Sequence, residues 1–323
     1  MVDTTLNEED PSLLVIILDT NPFSWSKSEE SATPLSFNTA QSHLLIFIHA
    51  YLSLKPDNRI AVVASHLGTS RFIYPTEKTD LVAQSEETST SAKDANVYQR
   101  FKSIDKQISK NLKTLIESDL NLDSFPDKGS SAISGAFSMA LCYINRMMKR
   151  DDLGRIKPRL LVLSVSADSP YQYIPIMNCI FSAQKASIPI DVCKIYGADS
   201  AFLQQAAYIS SGTYLKAENA SGLLQYLLFT FLPDRYVRNY FCLPGKDQVD
   251  FRAACFCHKK VIDVGYVCSV CLSIFCGFSP VCSTCRTKFE SRNGISDEPQ
   301  MVKTVFQNGL APTTNGTSLP SNS

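Results

Sequence analysis

The stretch GYVCSVCLSIFCGFSPVCSTC, Gly265 to Cys285, holds two cysteine pairs of the same spacing, Cys268-x-x-Cys271 and Cys282-x-x-Cys285, separated by ten residues. A Cys-x-x-Cys turn brings two thiolates to one edge of a coordination tetrahedron, and two such turns complete a closed four-sulfur zinc site. Two independent redox pairs would need a strand-to-helix setting that the flanking sequence lacks. Cys268, Cys271, Cys282 and Cys285 are therefore expected to hold one Zn2+. Cys255, Cys257, His258 and Cys276 are left over. The order CFCH, CSVC, Cys276, CSTC is that of a cross-braced, RING-like module in which alternate ligand groups share an ion. On that pattern the first and third groups take a second zinc, with His258 supplying the ligand the third group lacks. The alternative is a set of packed thiols beside a one-zinc ribbon.

The same segment is rich in apolar residues, among them Val264, Tyr266, Val270, Leu272, Ile274, Phe275, Phe278 and Val281. So small a module cannot bury them all, so some are expected to face outward and favour a protein partner. Lys259, Lys260, Arg286 and Lys288 are among its few basic residues, which makes any DNA contact indirect or weak.

Elsewhere the chemistry is sparse. The chain has no G-x-x-x-x-G-K-[ST] phosphate loop, no G-x-G-x-x-G and no G-x-S-x-G elbow, and His43, His49 and His66 are expected as ordinary packing or surface residues. No catalytic set is expected. One acid is notable: LLVIILD (13–19) is a continuous apolar run ending in Asp19, at the end of a strand where open α/β sheets bind ligands.

The elements around these residues alternate. RIAVVAS (59–65) and SRFIYP (70–75) are expected as a strand hairpin around Gly68, while RLLVLSVS (159–166), IPIDVCKIYG (188–197) and TYLK (213–216) are expected as further strands. Helical stripes run through Phe37–Leu52, with Ser36 as N-cap, and through Tyr98–Leu115 and Ile133–Met148. Others start near Pro175, span Phe202–Ile209 with a stop at Gly212, and cover Gly222–Leu232. The stretch holding Pro22 and Pro34 is expected as a loop. Buried strands alternating with amphipathic helices give an α/β fold, a mostly parallel sheet wrapped by helices.

The expected organisation is an N-terminal tail (1–10), the α/β domain (11–232) with a flexible polar insertion at 76–95, a connector (233–250), the zinc-binding module (251–289) and a disordered tail (290–323). The module, at 39 residues, is too small to fold on a core alone and needs a staple. With 31 basic and 31 acidic residues the chain has no global field inviting nucleic acid or anionic membrane. MVDTTLNEEDP lacks the pattern of a targeting segment and LLFTFL is too short to span a bilayer, so a soluble intracellular protein is expected.

The Asp19 turn resembles that of the von Willebrand factor A domain. Members of that fold that bind Mg2+ carry D-x-S-x-S there, a Thr on a second loop and an Asp on a third. Here Asn21 and Phe23 replace the two serines, Ser130 or Ser131 matches the second loop, and Asp168 the third. Losing two hydroxyls weakens a site for a hard cation, so Mg2+ is not expected and the turn is read as structural. Taken together, LLVIILDTNP, LQQAAYISSGTYL and the cysteine module resemble the family of the smaller von Willebrand A-type core subunits of transcription factor TFIIH, over about residues 11–289. The resemblance implies a nuclear, non-catalytic scaffold in a hetero-oligomer. It would pair with the larger von Willebrand A/RING-like subunit and act in RNA polymerase II transcription initiation and nucleotide excision repair. The rival expectation is a RING-type ubiquitin ligase module on the same scaffold, for which the third ligand group is short.

Overall fold

The computed structural model describes residues 10–31, 33–75, 98–117, 130–151, 156–234, 236–241, 249, 252–258, 261–289 and 301–305. The expected insertion at 76–95 and nearly all of the expected N-terminal tail lie outside them. The chain divides into two compact units, Met1–Lys246 and Asp247–Ser323.

In the first unit β1 (Ser12–Asp19) is buried along its whole length, as an eight-residue apolar run at the centre of a sheet must be. Its even residues Leu14, Ile16 and Leu18 enter one hydrophobic cluster, and its odd residues Leu13, Val15 and Ile17 the other. After it come α1 (Pro22–Glu29), α2 (Phe37–Leu54), β2 (Arg59–Ser65), β3 (Ser70–Tyr74), α3 (Tyr98–Glu117) and α4 (Ile133–Arg150). The unit continues with β4 (Lys157–Ser164), α5 (Tyr173–Lys185), β5 (Ile190–Lys194), α6 (Ala201–Ile209), β6 (Tyr214–Lys216) and α7 (Leu223–Tyr226). The strand order is β3-β2-β1-β4-β5-β6, parallel throughout except for the edge strand β3, which pairs antiparallel with β2. Helices α2, α3 and α7 cover one face and α4, α5 and α6 the other. This is the expected mostly parallel α/β sheet wrapped by helices.

Two details depart from the expectation. The stretch containing Pro22 is the helix α1: Asn21 caps it by accepting from Phe23 N at 3.1 Å, and Pro22 occupies a first-turn position where no amide hydrogen is needed. The last helix is composite, with α7 running into a π-helical turn at Leu227–Phe231. That turn ends on three carbonyls, of Phe231, Leu232 and Pro233, which accept from the buried Arg159 guanidinium of β4. Gly212 does more than end α6: a Cβ there would lie 1.9 Å from the Ile190 carbonyl oxygen, so only glycine lets the chain pass β5.

The second unit is built from short strands: β7 (Ala253–Ala254) pairs with β8 (Val261–Ile262), and β9 (Val264–Cys268) lies between β10 (Ile274–Phe275) and β11 (Met301–Val305). Within 290–323, expected as a disordered tail, residues 301–305 instead form strand β11, which pairs antiparallel with all five residues of β9; the rest of that stretch lies outside the described residues. The apolar cluster here is small: Cys268, Phe275, Cys282 and Phe289, with Phe256 against it.

Candidate metal centre

The two Cys-x-x-Cys turns are near copies. In the first, Cys268 leaves β9, Leu272 N donates to Cys268 O at 2.9 Å, and Leu272 takes the left-handed conformation, φ 60°. In the second, Arg286 N donates to Cys282 O at 2.8 Å and Arg286 has φ 60°. Cys268 N donates to Ser273 O (2.9 Å) and Cys282 N to Thr287 O (2.8 Å), so each turn closes on the residue after the left-handed one. The hydroxyls of those residues sit against the sulfurs, Ser273 Oγ 3.1 Å from Cys271 Sγ and Thr287 Oγ1 3.0 Å from Cys285 Sγ.

The structure brings Cys268, Cys271, Cys282 and Cys285 together, their four sulfurs lying within 4.8 Å of one another. Cys268 Sγ is 3.7 Å from Cys285 Sγ, and Cys271 Sγ 3.6 Å from Cys282 Sγ. Zinc–sulfur bonds of about 2.3 Å in a tetrahedron give an edge of about 3.8 Å. The spacing suits a metal and is far too long for a disulfide. Cys268 and Cys282 are fully buried. Burial pushes the Cys268 thiol up to about 11, while hydrogen bonds from Thr287 pull Cys285 down to about 6. A bound cation offsets the first cost and exploits the second, because thiolate is the ligating form.

Cys255, Cys257, His258 and Cys276 form a second group with ligand atoms within 4.8 Å of one another. The ligand groups thus alternate, first with third and second with fourth. Val264, Val270, Leu272, Phe278 and Val281 are exposed around the two groups, whereas Ile274 and Phe275 are buried.

At the carboxyl ends of β1, β4 and β5 lies a pocket lined by Asp19, Ser131, Ser164, Ser166, Asp168 and Gln172. Its acids are already engaged. Asp19 Oδ1 accepts from Asn21 N (3.2 Å), and Oδ2 from Val165 N (3.1 Å) and Ser166 N (2.8 Å). Asp168 accepts from Ser200 Oγ and from Phe202 N (3.2 Å), at the start of α6. Gln172 Nε2 donates to Ser130 Oγ at 2.9 Å, and Ser131 Oγ lies 2.5 Å from Ser65 Oγ.

Lys194, missed in the sequence reading, is 1% exposed. Its ammonium donates to Ser164 Oγ at 3.3 Å and to Ser166 O, the residue whose amide holds Asp19. Burial lowers its pKa, while Asp19 and Asp168 act to raise it. Asp19, Ser130 and Asp168 thus already have hydrogen-bond partners within the chain, and the nearby positive charge is a lysine. The signal lay in IDVCK, a lysine ending an otherwise buried strand, which has to find acceptors.

The family model described as Transcription factor Tfb4 matches residues 11–286. The chain is 46% identical over 282 residues to General transcription and DNA repair factor IIH subunit tfb4 of Schizosaccharomyces pombe, covering 86% of this chain and 89% of that one. It is 42% identical over 295 residues to General transcription and DNA repair factor IIH subunit TFB4 of Arabidopsis thaliana, covering 90% and 94%. Among solved structures, the TFIIH p34 N-terminal domain superposes with a TM-score of 0.55 at 32% identity, over 69% of this chain and 98% of that one.

Proposed function

Because the chain belongs to the Transcription factor Tfb4 family, we propose that it is a non-catalytic structural subunit of the TFIIH core. It acts in the nucleus, in RNA polymerase II transcription initiation and nucleotide excision repair, through protein–protein contacts. The observation that carries this reading is the match of a factor IIH subunit along 86% of the chain, through both units. The reading is supported by geometry: the acids of the pocket at the strand ends accept hydrogen bonds from the chain itself, while the C-terminal unit turns apolar side chains outward. The larger von Willebrand A/RING-like subunit of TFIIH is the proposed direct partner, and any contact with DNA is indirect or weak.

The four-thiolate site is proposed to take Zn2+, because four soft ligands in a closed tetrahedral arrangement select it. Such an ion would supply folding stability in place of a core. The alternation of ligand groups also favours a second reading, a RING-type ubiquitin ligase, which a ubiquitin-transfer assay with the full chain distinguishes.

The test is depletion and add-back. Nuclear extract stripped of this chain should lose promoter-dependent transcription and excision of lesions, and the full complex containing it should restore both. Undiminished activity in both assays after complete depletion contradicts the proposal.

A further inference from the structure

We propose that Cys255, Cys257, His258 and Cys276 bind a second Zn2+, held at the surface of the module and exchanged more readily than the first. The proposal deepens the reading of a metal-held module and rests on it.

Among the described residues of this group only Cys255 is buried; Cys257, His258 and Cys276 are exposed. Burial therefore does not explain why four ligand atoms from two separate segments converge within 4.8 Å. Cys257 Sγ lies 3.4 Å from Cys276 Sγ, and His258 Nδ1 3.2 Å from the same sulfur. The first distance excludes a disulfide, whose sulfurs stand about 2.05 Å apart. Tetrahedral zinc with bonds of about 2.3 Å to sulfur and about 2.0 Å to nitrogen gives edges of about 3.5–3.8 Å, within a few tenths of those observed.

The second observation concerns what this segment has to hold it. Strands β7 and β8 are two residues each, and an isolated hairpin of that size is marginal in water. Among the described side chains of residues 252–262, Phe256 packs against the apolar cluster, and Phe256 N donates to Ile274 O at 2.8 Å. Cys276 leaves β10 directly after Phe275, so a cation shared by the CFCH turn and Cys276 ties the β7–β8 hairpin to β10. Three thiolates and an imidazole are a known closed ligand set for structural zinc.

The two sites differ in access. The first has two ligands fully buried and the second has three exposed, so a chelator should empty the second first. The experiment is zinc content by native mass spectrometry on the purified full chain under reducing conditions. Two ions per wild-type chain are expected, falling to one in His258→Ala and in Cys257→Ser. Limited chelation of wild type should remove one ion quickly and the other slowly. Cobalt titration of the metal-stripped wild type needs no variant and should show two absorbing equivalents.

One ion per wild-type chain, lost in Cys282→Ser, overturns this proposal and leaves the first site standing. Two ions retained in a Cys257→Ser, His258→Ala double variant likewise overturn it. No ion at all contradicts the metal-held module itself.

Discussion

Asp19 shows how a residue placed for chemistry can be committed to structure. Its carboxylate takes three backbone amides, two of them from the end of β4, and is 0% exposed. Charge-assisted hydrogen bonds of this kind contribute about 1.5–3 kcal/mol each. Asp19→Ala should therefore lower stability by about 3 kcal/mol or more in chemical denaturation of the first unit, and addition of Mg2+ should leave the wild-type melting temperature unchanged. A substantial Mg2+-dependent rise would show that Asp19 and Asp168 serve a cation after all. At the cysteines the expectation is more local. Cys268→Ser or Cys285→Ser should abolish the proteolytic resistance of residues 251–289 while the first unit keeps its own unfolding transition. Unchanged resistance in both variants would remove the case for a metal at the Cys-x-x-Cys pairs. Spacing alone made these four cysteines legible. Ser273 and Thr287, which sit behind the sulfurs, were not, because a hydroxyl two residues after a cysteine has many other uses.

At the scale of elements, the first unit's chain is tied down after α7 by a buried ionic network. Arg238 forms two 2.7 Å bonds with Asp191, which is 1% exposed, and Arg159 NH1 stands 4.0 Å from the same carboxylate. Removing one partner of such a pair leaves a buried charge and costs about 3–5 kcal/mol. Arg238→Met should approach that figure, and Asp191→Asn combined with it should cost less than the sum of the two single changes. A double-mutant cycle measures the difference, and strict additivity would mean that the pair is not coupled. The elements themselves were largely legible, because apolar runs and 3.6-residue stripes survive in this sequence. The misses have identifiable causes. Helix α1 followed an Asn-Pro cap masked by two prolines that suggested a loop. Strand β11 is five residues long in a polar stretch, and only pairing with β9 distinguishes it from coil. The π-helical turn answers to Arg159, far away in sequence.

At the scale of the whole molecule, two units carry different parts of one role. The first is an α/β domain in which the pocket acids Asp19 and Asp168 accept hydrogen bonds from the chain itself, with the buried Lys194 ammonium bonded beside them. The second is a module with little core, held by cysteines and presenting apolar side chains. Both features suit the proposed role of a chain that works by holding others in place. The family was legible because the cysteine pattern and the DTNP turn occur together; which surface meets which subunit was not, because a docking face has no spacing rule. The most direct test of the scaffold account is affinity purification of the tagged full chain from nuclear extract, with partner stoichiometry by quantitative mass spectrometry. The account predicts one copy each of the TFIIH core subunits, with the larger von Willebrand A/RING-like subunit retained longest as salt is raised. Recovery of ubiquitin-conjugating enzymes in their place, or of the chain alone, would contradict it.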